Sequence, residues 1–240
     1  MHRQPQTPTT IQTHRMVQEA PVDAGDFADW LAQTLRGLHT GALAPVPCGD
    51  CRGCCSSGYF IPLTPADSVA AMAIPSPLLS PAPGMPPGYQ VLGRTAQGAC
   101  PMLEHNTCGI YPARPQACRA YDCRVFAAAG MAAGTDSFSR INARVRAWRF
   151  SYGSHHAQAT HQATHQAVKA AARFMQEKAS AFPGGRVPRR PDELALLALK
   201  VHPVFLHADL PTLADSAIAA AVIASSRDFD ARGPDAHPRQ

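Results

Sequence analysis

The chain has 240 residues, 45% of them apolar, with 22 lysines and arginines against 17 acidic residues, a net charge of +5. That length allows one or two domains with a real core, and the scattered basic residues do not indicate nucleic acid as a partner. No run approaches the ~18 consecutive apolar residues of a membrane span, and the polar N-terminus lacks the apolar core of a secretory signal.

With 23 prolines and abundant alanine, the composition favours helices joined by long irregular connections over a large sheet. Residues 1–21 read as a disordered leader, within which Met16 offers a second translation start. From Asp23, a candidate N-cap, the residues Phe27, Trp30, Leu31, Leu35 and Leu38 recur at helical spacing until Gly41, Pro45 and Pro47 stop the helix. A cysteine loop follows, PCGDCRGCCSSGYF. In IPLTPAD, Thr64 can cap a short helix with Pro65 at its first position and Asp67 in its first turn, ending by Ile74. Residues 75–88 form a proline-rich loop. Tyr89 to Arg94 suits a strand, and Gly98–Leu103 with Cys108–Tyr111 suits a hairpin around Glu104-His105-Asn106-Thr107.

Pro115 opens a helix expected to carry Cys118, Tyr121 and, in its last turn, Cys123. A further helix carries Ile141, Val145 and Trp148. Residues 155–179 are strongly helical, with Val168, Ala172 and Met175 on one face, until Gly184, Gly185 and Pro188. Short helices near 192–200 and 212–224 precede a polar tail, expected to be mobile from Ser226. The fold class is therefore mainly α with a small irregular cysteine-rich metal core containing a short β-hairpin. The expected layout is a cysteine-cluster domain over 22–130, a helical region over 131–225 packed on it, and a tail over 226–240.

All eight cysteines lie between Cys48 and Cys123. The first four are Cys48-x2-Cys51-x2-Cys54-Cys55. Cysteines three apart can turn both sulfurs to one side of a tight turn, as a tetrahedral metal or a wrapped iron–sulfur cluster requires. Gly49, Gly53 and Gly58 give the backbone freedom to wrap. Side chains of the adjacent Cys54 and Cys55 diverge, so the two serve different metals or one is simply packed. The second four are Cys100, Cys108, Cys118 and Cys123, on the hairpin and the helix after it. Without an export signal the expected compartment is the reducing cytoplasm, where these thiols stay available as soft ligands for zinc, iron or a 4Fe–4S cluster.

The segments CGDCRGCC…LTPAD and CPMLEHNTCGIYPARPQACRAYDC, which include Cys-x-Ile-Tyr-x-x-Arg-Pro-x-x-Cys-Arg, resemble the two halves of the CxxCxxCC cysteine-cluster family, or YkgJ-type proteins. The resemblance covers about residues 48–126 and all eight cysteines. It implies chelation of zinc or iron by Cys48, Cys51, Cys54, Cys55, Cys100, Cys108, Cys118 and Cys123. One branch is similar to flagellin lysine-N-methylases, which implies an alternative: an iron–sulfur-assisted protein lysine N-methyltransferase-like enzyme acting on a protein substrate. The insert at 75–88 and the flanking helices lie outside the resemblance, and they carry no recognisable cofactor motif.

Arg114, Arg119 and Arg124 stand near the cysteines and could offset thiolate charge, Arg119 being the best placed in sequence. Tyr111 and Tyr121 read as core aromatics. Asp50 reads as a turn residue, and Asp122, beside Cys123, is the only other close carboxylate; neither is expected to be a ligand. His161 and His165 are one helical turn apart, but a solvated face is the favoured reading over a metal pair. Arg140, Arg144, Arg146 and Arg149 read as solubilising charges.

Overall fold

The computed structural model describes residues 19–41, 46–153 and 156–233. Most of the leader, His155 and the last seven residues fall outside it. Among the described residues the chain is mainly α-helical, with seven short strands in three small sheets.

The first helix, α1 (Phe27–Thr40), is capped by Asp26, whose carboxylate accepts from the backbone N–H of Ala28 and Asp29. Asp23 is not the cap. It lies inside a strand, β1 (Val22–Asp26), which pairs in parallel with β7 (Trp148–Ser151). Gly41 ends α1 in the left-handed conformation, as expected. Phe27, Trp30, Leu31 and Leu35 are buried, matching the apolar stripe.

Thr64 and Asp67 form a reciprocal capping box around a 3₁₀ turn that runs into α2 (Ser68–Ala73). The strand before it, β2 (Ile61–Leu63), pairs with β4 (Gln90–Leu92). The proline-rich insert is not wholly irregular: its β3 (Leu79–Pro81) adds to the other edge of β4. Pro81 is tolerated because an edge strand can spare one N–H. Beneath this sheet Leu63, Ala70, Ile74, Leu92 and Met102 form a small separate core. The expected hairpin is β5 (Leu103–Glu104) and β6 (Thr107–Cys108), turned by His105 and Asn106 at positive φ.

The helix opened by Pro115 is shorter than expected. It is α3 (Gln116–Ala120), and Cys123 does not belong to it but starts α4 (Arg124–Ala129). Likewise α5 (Ser139–Ala147) stops before Trp148, which enters β7. The long α6 (Gln158–Glu177) buries Val168, Ala172 and Met175 as expected. After α7 (Pro191–Val201) comes α8 (Asp215–Ala231), five residues longer than the point where a mobile tail was expected to begin, with Phe229 buried. Helices α1, α4, α6, α7 and α8 enclose the main core, where Phe27, Phe126, Val168 and Leu199 are fully covered.

Candidate metal centre

A tight turn brings the first two cysteines together. Cys51 N–H donates to the Cys48 carbonyl at 3.0 Å, and Gly49 between them sits at φ +53, which an L side chain would strain. One helical turn follows, in which Ser56 N–H donates to the Arg52 carbonyl, and the Ser57 hydroxyl holds the Gly53 carbonyl at 2.6 Å. A Cβ on Gly53 would stand 3.3 Å from the backbone of Ile141. Only a glycine lets the cysteine loop press this closely on α5.

The two cysteine groups are stitched by backbone. Cys100 N–H donates to the Cys55 carbonyl at 2.7 Å. Arg52 spans the join: its Nε donates to the Asn106 carbonyl on the hairpin tip, and its Nη1 to the Gly49 and Cys51 carbonyls. Cys118 is placed by Asp67, which accepts the Gln116 N–H at 2.6 Å and so anchors the first turn of α3 to the LTPAD segment. Cys123, buried at the start of α4, receives the indole N–H of Trp148 on its sulfur at 3.1 Å.

All eight thiols are free. Seven of them, all but Cys100, line one cleft of about 610 Å³, together with Arg52, Arg114, Arg119 and Arg144. Cys100 lies close enough to Cys55 and Cys118 to disfavour their ionisation. The thiols border this space without closing on a point: among the described residues no three Cys, His, Asp or Glu side chains are already grouped to hold a metal ion.

Electrostatics divide the thiols. Burial, then Cys54 and Cys51, raise Cys48. Burial pushes Cys123 up to about 12, with Asp122, Cys48 and Cys51 adding to it and the Trp148 hydrogen bond opposing. Burial, then Cys100, Cys54 and Cys108, push Cys118 up to about 12. Cys54 is lowered to about 7, chiefly by its hydrogen bond with the Cys55 thiol, and Cys55 is raised by the same bond. Thiols that raise one another's pKa are the donor set whose protons a thiophilic cation displaces, so these residues fit zinc or iron chemically.

The cations were only partly legible in sequence. Arg114 faces the thiols, favouring the charged forms of Cys54 and Cys118 while stacking on Tyr111 at 3.7 Å. Arg119 instead braces the turn before α3 through the Arg114 and Pro112 carbonyls. Arg124 pairs with Asp122 at 2.7 Å. Arg144, read as a solubilising charge, lines the thiol cleft beside Cys51, which favours its charged form, and pairs with Glu19 at 3.2 Å. Neither Arg144 nor Trp148 carries a local signal, because both reach the site across the fold.

Tyr111 is 60% exposed and so not a core aromatic, whereas Tyr121 is half-buried with its hydroxyl against that of Tyr59. Asp50 is exposed in the turn. His165 is not on a solvated face. It is buried, stacked on Phe27 at 4.3 Å, and bonded through Nδ1 to the Tyr152 hydroxyl at 2.8 Å. Burial, then Lys169, lower its pKa to about 4, so it is neutral at pH 7.

Asp67 yields a test of the scaffold. Burial opposes its charge, but hydrogen bonds from Thr64 and Gln116 prevail and hold its pKa below the usual carboxylate value. A depressed folded pKa adds stability above the unfolded value of about 3.9, lost as pH falls through the folded one. Asp67→Ala should therefore destabilise by about 1.5–3 kcal/mol at neutral pH, the range for hydrogen bonds to a charged group. Urea titration should show the gap to wild type narrowing below about pH 4. A gap unchanged with pH would contradict the assignment.

Residues 47–133 match the family model CxxCxxCC, described as "Putative zinc- or iron-chelating domain". The matched stretch holds all eight cysteines and ends just after α4. No curated protein and no solved structure matches the chain. The family description names metal chelation and says nothing of methyl transfer. Among the described residues no helix is long and apolar enough to cross a membrane.

Proposed function

We propose, with the match of residues 47–133 to a zinc- or iron-chelating family as premise, that this chain is a metal-binding protein using all eight cysteines in two four-thiol centres. Cys48, Cys51 and Cys54 with Cys123 form the inner centre. Cys55 with Cys100, Cys108 and Cys118 forms the outer one. The observation that carries the reading is the convergence of seven free thiols on one cleft, with the eighth beside it. The neighbours of each thiol support part of this division: Cys123 feels Cys48 and Cys51, and Cys118 feels Cys100 and Cys108, while Cys54 stands between the groups, acting on Cys48 as well as on Cys100 and Cys118. The Cys54 and Cys55 thiols do not diverge as expected but lie against each other, so for each to serve its own centre one of them must turn away when metal binds.

Bound metal would cross-link loops that have little else to fix them. Among the described residues five buried side chains, with six partly buried ones packed against them, form the small core beneath the sheet, and full burial of a Leu or Met is worth about 1.5–3 kcal/mol. Ordering each loop residue costs about 1–2 kcal/mol of backbone entropy. Arg114 and Arg144 offset thiolate charge, the Trp148 indole donates to the Cys123 sulfur, and the Gly53 N–H, 3.4 Å away, donates to that of Cys51. Thiols kept as ligands need a reducing compartment, which in our reading is the cytoplasm.

Anaerobic purification followed by metal analysis and visible absorption tests this. Stoichiometric zinc in a colourless protein, or iron with a broad band near ~400 nm, supports it and identifies the metal. Protein that carries neither metal and takes up neither on reconstitution overturns it.

A further inference from the structure

Beside α5 lies another cavity, of about 620 Å³, lined by none of the cysteines. Phe126, Met131, Val145, Trp148 and Phe150 give it an apolar, largely aromatic floor. Arg146, Arg149 and Lys169 also line it, and none of its lining residues is acidic. Arg149 is steadied through Nη1 by the Arg146 and Trp148 carbonyls. Lys169 lies across Gly130, where a Cβ would come within 3.3 Å of its Cγ, and the described residues give it no ion pair. Behind it His165, only 5% exposed, also borders the cavity, against the backbone of Ala127 and Ala128.

We propose that this cavity binds a small organic anion, with a flat apolar or aromatic body on the floor and a carboxylate or phosphate held by Lys169 and Arg146. The charge requirement follows from Lys169, half-buried with no ion pair among the described residues, beside the exposed Arg146 and Arg149, which likewise have none among them. Lys169 is half-buried, and burial lowers its pKa, so an anion restores the partner that its charged form lacks. The requirement for an organic body follows from the size and the floor. The volume falls within the roughly 300–1,000 Å³ of small-molecule sites, and a bare inorganic ion would leave the aromatic floor uncovered. The site is independent of the metal, although Trp148 forms part of its floor and also donates to Cys123.

Calorimetric titration of the full chain with 2-naphthoate, 2-naphthyl phosphate and uncharged 2-naphthamide tests the proposal. One of the two anions should bind on the order of tenfold or more tightly than the amide, as a charge-assisted contact requires, and the tighter anion identifies the head group. Lys169→Met, which keeps the stem and the packing on Gly130, should lose that advantage, whereas Lys169→Arg should keep it. Circular dichroism and metal content should match wild type in both variants. Amide binding as tight as that of the anions, no binding of either anion, or full anion affinity in Lys169→Met would each overturn it.

Discussion

Cys123→Ser should remove one of two bound metal equivalents and free the loop at 46–60 to proteases. Cys123 is the one buried cysteine, fixed at the head of α4 in the main core, while its proposed co-ligands sit on the loop between α1 and β2. The proposed inner centre would thus be the seam between the cysteine loops and the helical body. Serine preserves shape but offers a hard oxygen in place of a soft thiolate, and it leaves the Trp148 indole N–H with a different acceptor. Cys108→Ser, on the exposed hairpin, should also cost one equivalent yet leave the seam closed. The double variant separates the two centres. Loss of both equivalents in the double places the residues in different centres, and a double that loses no more than either single places them in one.

The second large effect involves no ligand. Asp122 adjoins Cys123, but both of its oxygens are committed: Oδ1 to the N–H and Nε of Arg124, Oδ2 to the Trp30 indole at 2.9 Å and to Arg124. Arg124 also donates to the Ala24 carbonyl, so this nearly buried pair joins β1, α1 and α4 behind the inner centre. Removing one member of such a pair strands the other charge in the interior, which costs about 3–5 kcal/mol. Asp122→Ala should lose stability of that size in urea titration while the folded protein keeps its metal. A loss below about 1 kcal/mol would contradict the buried-pair account, and metal loss equal to that of Cys123→Ser would make Asp122 a ligand.

Helices with a sustained apolar stripe were legible from sequence, because Phe27 to Leu35 and Val168 to Met175 repeat at the helical period. The LTPAD capping box was legible too, although its use was not: Asp67 reaches forward to the Gln116 N–H, and nothing local announces a partner 49 residues away. The break between Tyr121 and Arg124 left a missed trace, since Asp122 Oδ1 accepts the Arg124 N–H at 2.9 Å as a turn residue does at a helix start. Strands β1 and β7 were hidden by their brevity, each existing only because the other pairs with it. Phe229 lies one heptad after Val222 on the same face of α8, a spacing that extends the helix into what read as tail. All the candidate ligands were visible as cysteines, whereas Arg144, which lines their cleft from α5, and Trp148, which donates to Cys123 from β7, needed the fold.

X-ray absorption at the edge of the metal that copurifies tests the central claim most directly. Two four-thiol centres require a first shell of four sulfurs per metal at about 2.3 Å, and two zinc or iron sites, or the equivalent cluster, per chain. A first shell dominated by nitrogen or oxygen, or an all-sulfur shell that persists unchanged when Cys48, Cys51, Cys54 and Cys123 are all serine while the chain still holds two metals, would contradict it.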